Sequence, residues 1–499
     1  MLRVIKGGFA PLFVFILLMA HPYGNNPSAQ GPEFDALERT IPELQAAMAR
    51  GDTTSKLLTK QYLARIDAFD QQGPQLNAMI HLNPRALEDA AALDRERAAG
   101  KVRGPLHGIP LVLKDNYETR DMPTTAGVLA LEGFVPEDDG HLVTRLREAG
   151  AVFIGKTNLH EFARGIYTVS SLGGYTRNPY DPERNPGGSS GGTAAAVAAN
   201  FAAAGTGSDT CGSIRIPAAF NNLFGLRPTQ GTTRLDGIVP LAHTQDVAGP
   251  LTRSMVDLAT LLDVMVDTTG SFHDALRTDA LRGARLGVLA GYLQTDDPYG
   301  AVSRVVRDAI AAMIEGGAEV IEVDVEGFDE LSRKTSVIDM EFQADIDDYL
   351  QRAGAPVQSL SAVLESGAYH PELEQRYRRS IEAAGNVDEY RERLARREEL
   401  AALLITTLTD NDLDALVYPT IQVEPLPIGE GQHGSLCRLA AHSGLPAISL
   451  PAGFTAAGLP VGVELLARPF EDDRLVALGY AWEQLAQPRR PPTLRQHKD

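Results

Sequence analysis

Residues 185–220 read NPGGSSGGTAAAVAANFAAAGTGSDTCGSIRIPAAF and combine a Gly/Ser-rich turn, an Ala-rich run and a second turn at Cys211-Gly212. The hexapeptide GGSSGG by itself has the composition of a flexible linker. The run over 193–204, however, is mostly apolar, which predicts a buried helix. Because linkers do not usually lie between core elements, we predict that this stretch belongs to the interior of the molecule.

Short apolar runs on both sides of this stretch predict buried strands. The first, LHGIPLVL over 106–113, ends directly before Lys114. The other elements that the pattern predicts are a helix at 141–150, strands at 151–155, 414–418, 446–450 and 459–466, and a helix at 472–485. This alternation predicts an α/β fold with one large mixed β-sheet sandwiched between helices.

The remaining segments are mainly helical. Amphipathic stretches over 34–70 are separated at Gly51-Asp52, where Thr53 or Thr54 can cap the second helix, and another helix is predicted at 84–99. From 300 to 410 the pattern is mainly helical and charged. We predict that this region packs outside the sheet as a cap and lines part of the substrate entrance.

Composition excludes several classes of protein. The 499 residues are ample for a buried catalytic core, and the net charge of −19 disfavours a nucleic-acid partner, which requires clustered Lys and Arg. Cys211 and Cys437 are too few for a disulfide framework or a four-cysteine zinc site. His160-Glu161 lacks the second His of a zinc-binding HExxH helix, so no metal site is predicted.

The N-terminus has the pattern of a secretory signal peptide. Arg3 and Lys6 precede the apolar run FAPLFVFILLMA at 9–20, which is short for a membrane span, and a polar, turn-rich stretch follows. We therefore predict a signal peptide over 1–30, a catalytic domain over 31–499 and export to the periplasm or the medium, with no membrane span after processing. An uncleaved N-terminal anchor is the alternative.

Two other interpretations of GGSSGG are open to test. A phosphate-binding P-loop would end in Gly-Lys-Ser/Thr, but this loop ends in Gly191-Gly192-Thr193 and has no lysine there. A nucleophile elbow, G-x-S-x-G, would make Ser190 the nucleophile of a Ser-His-Asp hydrolase, with His433 or His442 as a partner. The elbow must follow a strand, whereas the preceding residues are polar and rich in proline.

The stretch 187–218 resembles the signature of the amidase signature family. The resemblance extends over nearly the whole chain after the N-terminal segment, through 106–116, 155–163, 224–231, 246–254, 413–420, 444–454 and 458–485. Within the family, TRNPYD (176–181), IVPLAHTQDVAGP (238–250) and MEFQADIDDYL (340–350) are most similar to the peptide amidases.

This resemblance implies a Ser, cis-Ser, Lys triad. Lys114 corresponds to the catalytic base, Ser189 to a serine that relays the proton, and Ser213 to the nucleophile. A serine hydroxyl needs a neighbouring base, and lysine serves as one only when burial keeps its amine neutral. A cis Gly188-Ser189 peptide bond would fix Ser189 in position.

The resemblance also implies that the backbone N–H groups of Thr210, Cys211 and Gly212 form the oxyanion hole. Cys211 replaces a more usual glycine and is expected to be a small turn residue rather than a nucleophile. Ser190 is expected to support the triad by hydrogen bonding. Asp209 and Arg215 flank the turn that carries Ser213 (210–214), called the nucleophile turn below, and are expected to hold it through hydrogen bonds or an ion pair.

The implied activity is hydrolysis of a carboxylic amide through an acyl-enzyme, without a cofactor. A peptide with a C-terminal amide, which would release ammonia, is the best single substrate. Two alternatives stay open. One is the glutamine-hydrolysing A subunit of a tRNA-dependent amidotransferase, although Ile216 occupies a position where such proteins more typically have Gln. The other is a non-catalytic binding protein on the same scaffold.

Overall fold

The structure is a computed structural model that describes residues 34–267 and 270–495. The chain from Ala36 onward forms one compact unit. The predicted signal peptide over 1–30 lies outside the described residues. Within the described ranges, we find no helix with the length and apolar character that a membrane span requires.

The regular elements alternate along the chain as the sequence predicts. The strands are β1 Met79–Leu82, β2 Pro110–Lys114, β3 Val152–Thr157, β4 Val169–Ser170, β5 Gly174–Tyr175, β6 Ala204–Asp209, β7 Phe224–Arg227, β8 Val247–Thr252, β9 Arg285–Leu289, β10 Glu319–Val323, β11 Ala415–Pro419, β12 Ala447–Phe454 and β13 Pro460–Leu466. The α-helices are α1 Ile41–Arg50, α2 Ser55–Phe69, α3 Ala86–Ala98, α4 His141–Glu148, α5 Gly191–Ala198, α6 Arg215–Phe220, α7 Met255–Met265, α8 Gly300–Glu315, α9 Glu326–Ser332, α10 Ile338–Arg352, α11 Leu360–Ser366, α12 Glu374–Ala383, α13 Val387–Asp410, α14 Arg438–Ser443 and α15 Asp472–Ala486.

One mixed sheet of 11 strands organises the molecule, in the order β1-β3-β2-β6-β8-β7-β12-β13-β11-β9-β10. Strands β2 and β6 pair in parallel, with Leu111 opposite Ala204, and β6 pairs antiparallel with β8. Every residue of β2, β6 and β8 is buried, as expected of strands covered by helices on both faces. The predicted α/β fold with a large mixed sheet between helices is therefore confirmed.

Some element boundaries differ from the prediction for local reasons. The strand predicted over 106–113 begins only at Pro110, because the chain turns at Gly108, where φ is +80°. The buried helix predicted over 193–204 ends at Ala198, and Asn200, with φ of +58°, reverses the chain into β6. At the N-terminus Thr54, rather than Thr53, caps α2 by accepting the N–H of Leu57 at 3.2 Å.

The prediction that all of 300–410 packs outside the sheet is wrong for its first part. Strand β10 pairs in parallel with β9 at the edge of the sheet, and α8 buries Val302, Val306 and Ile310 in the main core. The edge strand reads EVIEV, and its two glutamates are exposed, so its charged composition concealed it from the sequence analysis.

Helices α10 to α12 (338–383), called the cap below, form a separate apolar cluster. Its buried residues Phe342, Ile346 and Tyr377 pack against Phe162 and Leu241, which follow strands of the sheet. The cap thus covers the loop after β3 and the loop between β7 and β8. This part of the predicted cap region lines two cavities, described below.

Candidate active site

Lys114 is the last residue of β2, and the neighbouring strand β6 presents two hydroxyls to it. Side chains two residues apart on a strand lie on the same face, so Thr206 and Ser208 both face Lys114. The Lys114 backbone N–H donates to the Thr206 hydroxyl at 3.3 Å, and its amine Nζ donates to the Ser208 hydroxyl at 2.8 Å. The register of β2 against β6 therefore fixes both ends of the lysine.

The Gly/Ser-rich turn places Ser189 on the same amine. Lys114 Nζ lies 2.7 Å from the Ser189 hydroxyl, and the Gly188-Ser189 peptide bond is cis, as the sequence analysis expected. The carbonyl of Ser189 accepts the His160 N–H at 3.0 Å. A Cβ on Gly192 would overlap the carbonyl oxygen of Asn158, so this turn is packed inside the core and is no linker.

Burial sets the charge state of this lysine. Lys114 is wholly buried, and burial lowers the pKa of its amine to about 7, although the carboxylates of Asp209 and Asp246 oppose the shift. Near pH 7 the neutral and charged forms of the amine are then present in comparable amounts. A general base requires the neutral form, because only that form can accept a proton.

Ser213 lies in the turn between β6 and α6. Its carbonyl accepts the Ser190 N–H at 3.2 Å, which ties the nucleophile turn to the Gly/Ser-rich turn. Ser213 is 3% exposed and lines a cavity of about 340 Å³ whose wall includes Arg164, Arg376 and Arg379. The structure thus brings the predicted triad residues Lys114, Ser189 and Ser213 into one region beneath the cap.

Asp209 organises the nucleophile turn. Its carboxylate accepts the backbone N–H groups of Gly212 at 2.7 Å and Ile214 at 3.1 Å. It also forms buried ion pairs with Arg215 at 3.1 Å and with Arg227 at 3.2 Å. Burial alone would raise the pKa of Asp209, but these two guanidinium groups outweigh it and hold the pKa well below its usual range. The predicted pairing of Asp209 with Arg215 is present in the structure.

One predicted oxyanion donor does not fit. The N–H of Gly212 already donates to Asp209, so it is not free to bind a developing oxyanion. In the described part of the chain, the backbone N–H groups of Thr210 and Cys211 donate to no other group and remain available. Thr210 is itself held by its hydroxyl, which donates to the carboxylate of Asp246.

Cys211 forms a disulfide with Cys437, the residue directly before α14, across a sequence separation of 226 residues. The sequence analysis did not predict this bond, because two distant cysteines give no local signal. Cys211 was expected to be a turn residue rather than a nucleophile, and the disulfide leaves it without a free thiol. Gly212 and not Cys211 has a positive φ, of +86°, so the backbone imposes no steric cost on a cysteine at position 211.

Ser190 lacks the surroundings of an elbow nucleophile. Its hydroxyl donates to the Ser208 carbonyl at 3.3 Å, and the segment before it is a loop that follows β5. None of the histidines in the described ranges hydrogen bonds to it. His442 Nδ1 instead lies 2.7 Å from the Thr335 hydroxyl, and His433 is exposed. The geometry therefore gives no support to a Ser-His-Asp triad.

One group of side chains in the described part of the chain has the spacing of a cation site, formed by His243, Glu341 and Asp345. Hydrogen bonds account for it: His243 Nδ1 lies 2.9 Å from Asp345, and Glu341 accepts the hydroxyls of Thr244 at 2.7 Å and Tyr390 at 2.8 Å. Glu161, of the His160-Glu161 pair that was compared with a zinc-binding HExxH helix, is also buried, and it accepts hydrogen bonds from the hydroxyls of Ser171 and Tyr377.

Sequence reasoning missed Ser208 and Asn116 as part of the site. The Asn116 amide donates to the Ser208 hydroxyl at 3.0 Å, so both residues belong to the surroundings of Lys114. No strand was predicted over 204–209, and the alternation of Thr206 and Ser208 there is the signal that could have pointed to Ser208. Asn116 and Ser208 also line a second cavity, of about 530 Å³. This cavity shares the lining residues Ala163, Thr210 and Leu241 with the Ser213 cavity.

Comparison with known proteins finds a matching family model and similar proteins of known sequence or structure. The family model Amidase matches residues 57–476. The A subunit of glutamyl-tRNA(Gln) amidotransferase from Rhodopirellula baltica is 36% identical over 502 aligned residues, which cover 90% of this chain and 97% of that protein. The structure of peptide amidase from Stenotrophomonas maltophilia has a TM-score of 0.84 and 38% identity, covering 92% of this chain and 99% of that one. An amidase family protein from Bacillus anthracis has a TM-score of 0.82 and 32% identity, with 92% and 93% covered.

Proposed function

The chain belongs to the amidase signature family and is a hydrolase of amide bonds, and from that premise we propose that Ser213 attacks a carboxylic amide with Lys114 as the base. The observation that carries the proposal is the 2.7 Å contact between the buried amine of Lys114 and the hydroxyl of Ser189. A hydroxyl so placed can pass a proton to a neutral amine.

The proposed reaction has two halves. In the first, the Ser213 Oγ bonds to the amide carbon, its proton passes through the Ser189 hydroxyl to Lys114 Nζ, and the proton then returns to the leaving nitrogen as the C–N bond breaks. In the second half, water attacks the resulting ester by the same route and releases the acid. The N–H groups of Thr210 and Cys211 are the proposed donors to the oxyanion.

We propose peptides that end in a C-terminal amide as the substrate class, with ammonia as the leaving group. Support comes from the likeness to peptide amidase, which extends over 99% of that chain at 38% identity. The cap also forms part of the walls of both cavities, and together these offer room for an acyl group larger than a simple aliphatic one.

Export is a further proposal. The pattern of residues 1–30 supports it, and so does the Cys211–Cys437 disulfide, since such bonds persist mainly in oxidising compartments. Mass spectrometry of the exported protein should find a mature N-terminus between Tyr23 and Gly31. Intact Met1 on cytoplasmic protein would contradict export.

Glutamine hydrolysis within a tRNA-dependent amidotransferase is the second candidate, because the A subunit of such an enzyme is 36% identical to this chain. The net charge of −19 speaks against a tRNA partner. Release of ammonia from glutamine in preference to peptide amides, together with a stable complex with partner proteins, would favour this candidate.

The test is ammonia release by the purified protein from free glutamine, peptide amides, aryl amides and fatty amides, with amine release followed in parallel. We expect peptide amides to give the highest kcat/KM. Ser213→Ala in the same assay is the control for contaminating activity. An intact, folded protein that turns over none of these amides would support the non-catalytic alternative and overturn the proposal.

A further inference from the structure

Cys211 lies inside the nucleophile turn, between Thr210 and Ser213. Its backbone N–H is one of the two proposed donors to the oxyanion, and Ser213 follows two residues later. The residue is half-buried and lines the cavity that holds Ser213. The disulfide to Cys437 therefore begins at a residue whose main chain has a proposed part in the reaction.

The neighbours of Cys211 in this turn are held by hydrogen bonds. The Thr210 carbonyl accepts the side-chain amide of Gln245 at 3.1 Å, and the Gly212 N–H donates to Asp209 at 2.7 Å. In the part of the chain that the structure describes, the N–H and the carbonyl of Cys211 itself make no hydrogen bond. The covalent bond through its sulfur is thus the direct restraint on Cys211.

Cys437 offers a fixed point for that restraint. It is 9% exposed, its N–H donates to the Ser435 hydroxyl at 3.2 Å, and its carbonyl accepts the Ala441 N–H at 3.0 Å. The guanidinium of Arg215 donates to the same carbonyl at 3.4 Å. The buried Leu439 packs α14 into an apolar cluster that includes helix α13. The disulfide therefore ties Cys211 to a well-anchored helix end.

An oxyanion donor acts through its direction as well as its distance. A hydrogen bond weakens steeply when its angle falls below about 120°, so a rotated Cys211 peptide group would lose most of the interaction. Removal of one such donor costs about 10²–10³ in kcat. Because the negative oxygen develops only during the reaction, loss of the donor lowers kcat and leaves KM nearly unchanged.

We propose that Cys437 is a positioning residue for the reaction: its disulfide keeps the Cys211 N–H directed at the oxyanion, so turnover depends on the oxidation state of the pair. This inference rests on the proposed amide hydrolysis and adds a redox control to the same site. A dithiol such as dithiothreitol opens the bond by supplying two electrons and two protons, which yields two cysteine thiols and the cyclic disulfide of the reductant. Amide hydrolysis should therefore be slow wherever thiols keep the pair reduced and fast in an oxidising compartment.

The test measures kcat and KM for one peptide amide before and after reduction, with thiol titration to confirm that the bond is open. The chain has two cysteines, so the reductant has no other disulfide to open within the molecule. We expect kcat to fall at least about tenfold and KM to stay within about twofold, with kcat restored by reoxidation. Cys437→Ser should have the low kcat from the start and should not respond to the reductant.

A second variant controls for general damage at the start of α14. Ser435→Ala removes the hydrogen bond to the Cys437 N–H and keeps the disulfide. Its kcat should stay close to that of the unaltered protein and should still fall on reduction. An unchanged kcat in fully reduced, folded protein would overturn the proposal.

A pair of inhibitors distinguishes a directed N–H from a cavity that has changed shape. A peptide aldehyde bonds to the Ser213 oxygen and places its own oxygen where the oxyanion would lie, whereas the matching peptide alcohol forms no such bond. Reduction should weaken binding of the aldehyde at least about tenfold and leave binding of the alcohol nearly unchanged. Equal weakening of both inhibitors would overturn the proposal.

Failure of the proposed function would give a different pattern. If the oxidised protein turns over no amide, amide hydrolysis fails as the activity, and the inhibitor pair still tests the positioning role. An aldehyde that binds the oxidised and reduced forms equally would then overturn that role. Weaker binding of the aldehyde alone by the reduced form would support it.

Discussion

Lys114 stands at the end of a buried strand, where its amine has exchanged water for the hydroxyls of Ser189 and Ser208. Burial lowers the pKa of this amine to about 7, so the residue can take up a proton at neutral pH, which an exposed lysine cannot do. Position in the sheet, rather than the identity of the side chain alone, therefore makes this lysine a candidate base.

The base role predicts a specific pH dependence. Because only the neutral amine accepts a proton, kcat/KM should rise with pH and level off above the pKa of Lys114, at about 7. Lys114→Ala should lower turnover at least ~10³-fold while the protein stays folded, and the exposed Lys60→Ala should change little. An unchanged pH profile in a residually active Lys114→Ala variant would mean that another group is the base.

Ser208 provides a finer test at the same scale. Its hydroxyl accepts from the Lys114 amine and so stabilises the charged form. Ser208→Ala should therefore lower the pKa of Lys114 further and move the rising limb of kcat/KM to lower pH. Ser190→Ala is the matched control, since the Ser190 hydroxyl contacts the Ser208 carbonyl and not the amine. A limb that stays in place in Ser208→Ala would contradict this contact.

The residues of the site differ in how far the sequence predicted them. Sequence motifs predicted Lys114, Ser189 and Ser213 as the triad, and all three lie in one region of the structure. Ser208 was missed because its part in the site depends on the pairing of β2 with β6, which a single chain does not reveal. Cys211 was misjudged for the same reason, since its partner is 226 residues away.

Among the elements, the turn between β6 and α6 depends most on buried charge. Asp209 compensates both Arg215 and Arg227 there, and all three are wholly buried. Asp209→Asn should lower the free energy of unfolding by about 3–5 kcal/mol, because it leaves the buried Arg227 without a carboxylate partner among the described residues, whereas Arg215 keeps its ion pair with Glu464. Urea denaturation measures this loss, with the exposed Asp308→Asn as the control. A loss no larger than that of the control would contradict the role of Asp209.

Low pH should destabilise the folded protein by protonating the Asp209 carboxylate. The folded-state pKa of Asp209 is depressed, so its contribution to stability is present above its unfolded pKa of about 3.9 and is lost as the pH falls below that value.

Hydrophobic pattern predicted most of the helices and the sheet strands β2, β3, β11, β12 and β13, but it did not predict the other six strands of the sheet. The helix over 193–204 was predicted too long because its apolar run continues without a break into β6, and only the turn at Asn200 separates them. Strand β10 was missed because an edge strand with exposed glutamates resembles a charged helical region. The periodicity of apolar residues can predict that a helix is present, whereas the residues at which it begins and ends depend on packing against its neighbours.

At the scale of the whole molecule, one covalent bond closes a very long loop. The Cys211–Cys437 disulfide joins the nucleophile turn to the residue before α14. Its reduction should lower the free energy of unfolding by about 2–5 kcal/mol, since loop closure restricts the unfolded chain. Urea denaturation with and without reductant measures this change, and Cys437→Ser should reproduce it. Equal midpoints under both conditions would contradict a stabilising bond.

The architecture of the whole chain was predictable, and the division of the 300–410 region was not. Alternating elements predicted the mixed sheet, yet the same helical composition covers α8, which packs in the main core, and the cap, which packs over the site. The apolar faces of both look alike in sequence, and only the tertiary partners distinguish them.

In the proposed reaction, Ser213 forms an acyl-enzyme. Mass spectrometry of protein quenched during turnover of a peptide amide measures it directly. We expect an added mass equal to the acyl group on the proteolytic fragment that contains Ser213, absent in Ser213→Ala and in unreacted protein. An acyl group on Ser190 or Cys211, or turnover in folded Ser213→Ala at a rate near that of the unaltered protein, would contradict it.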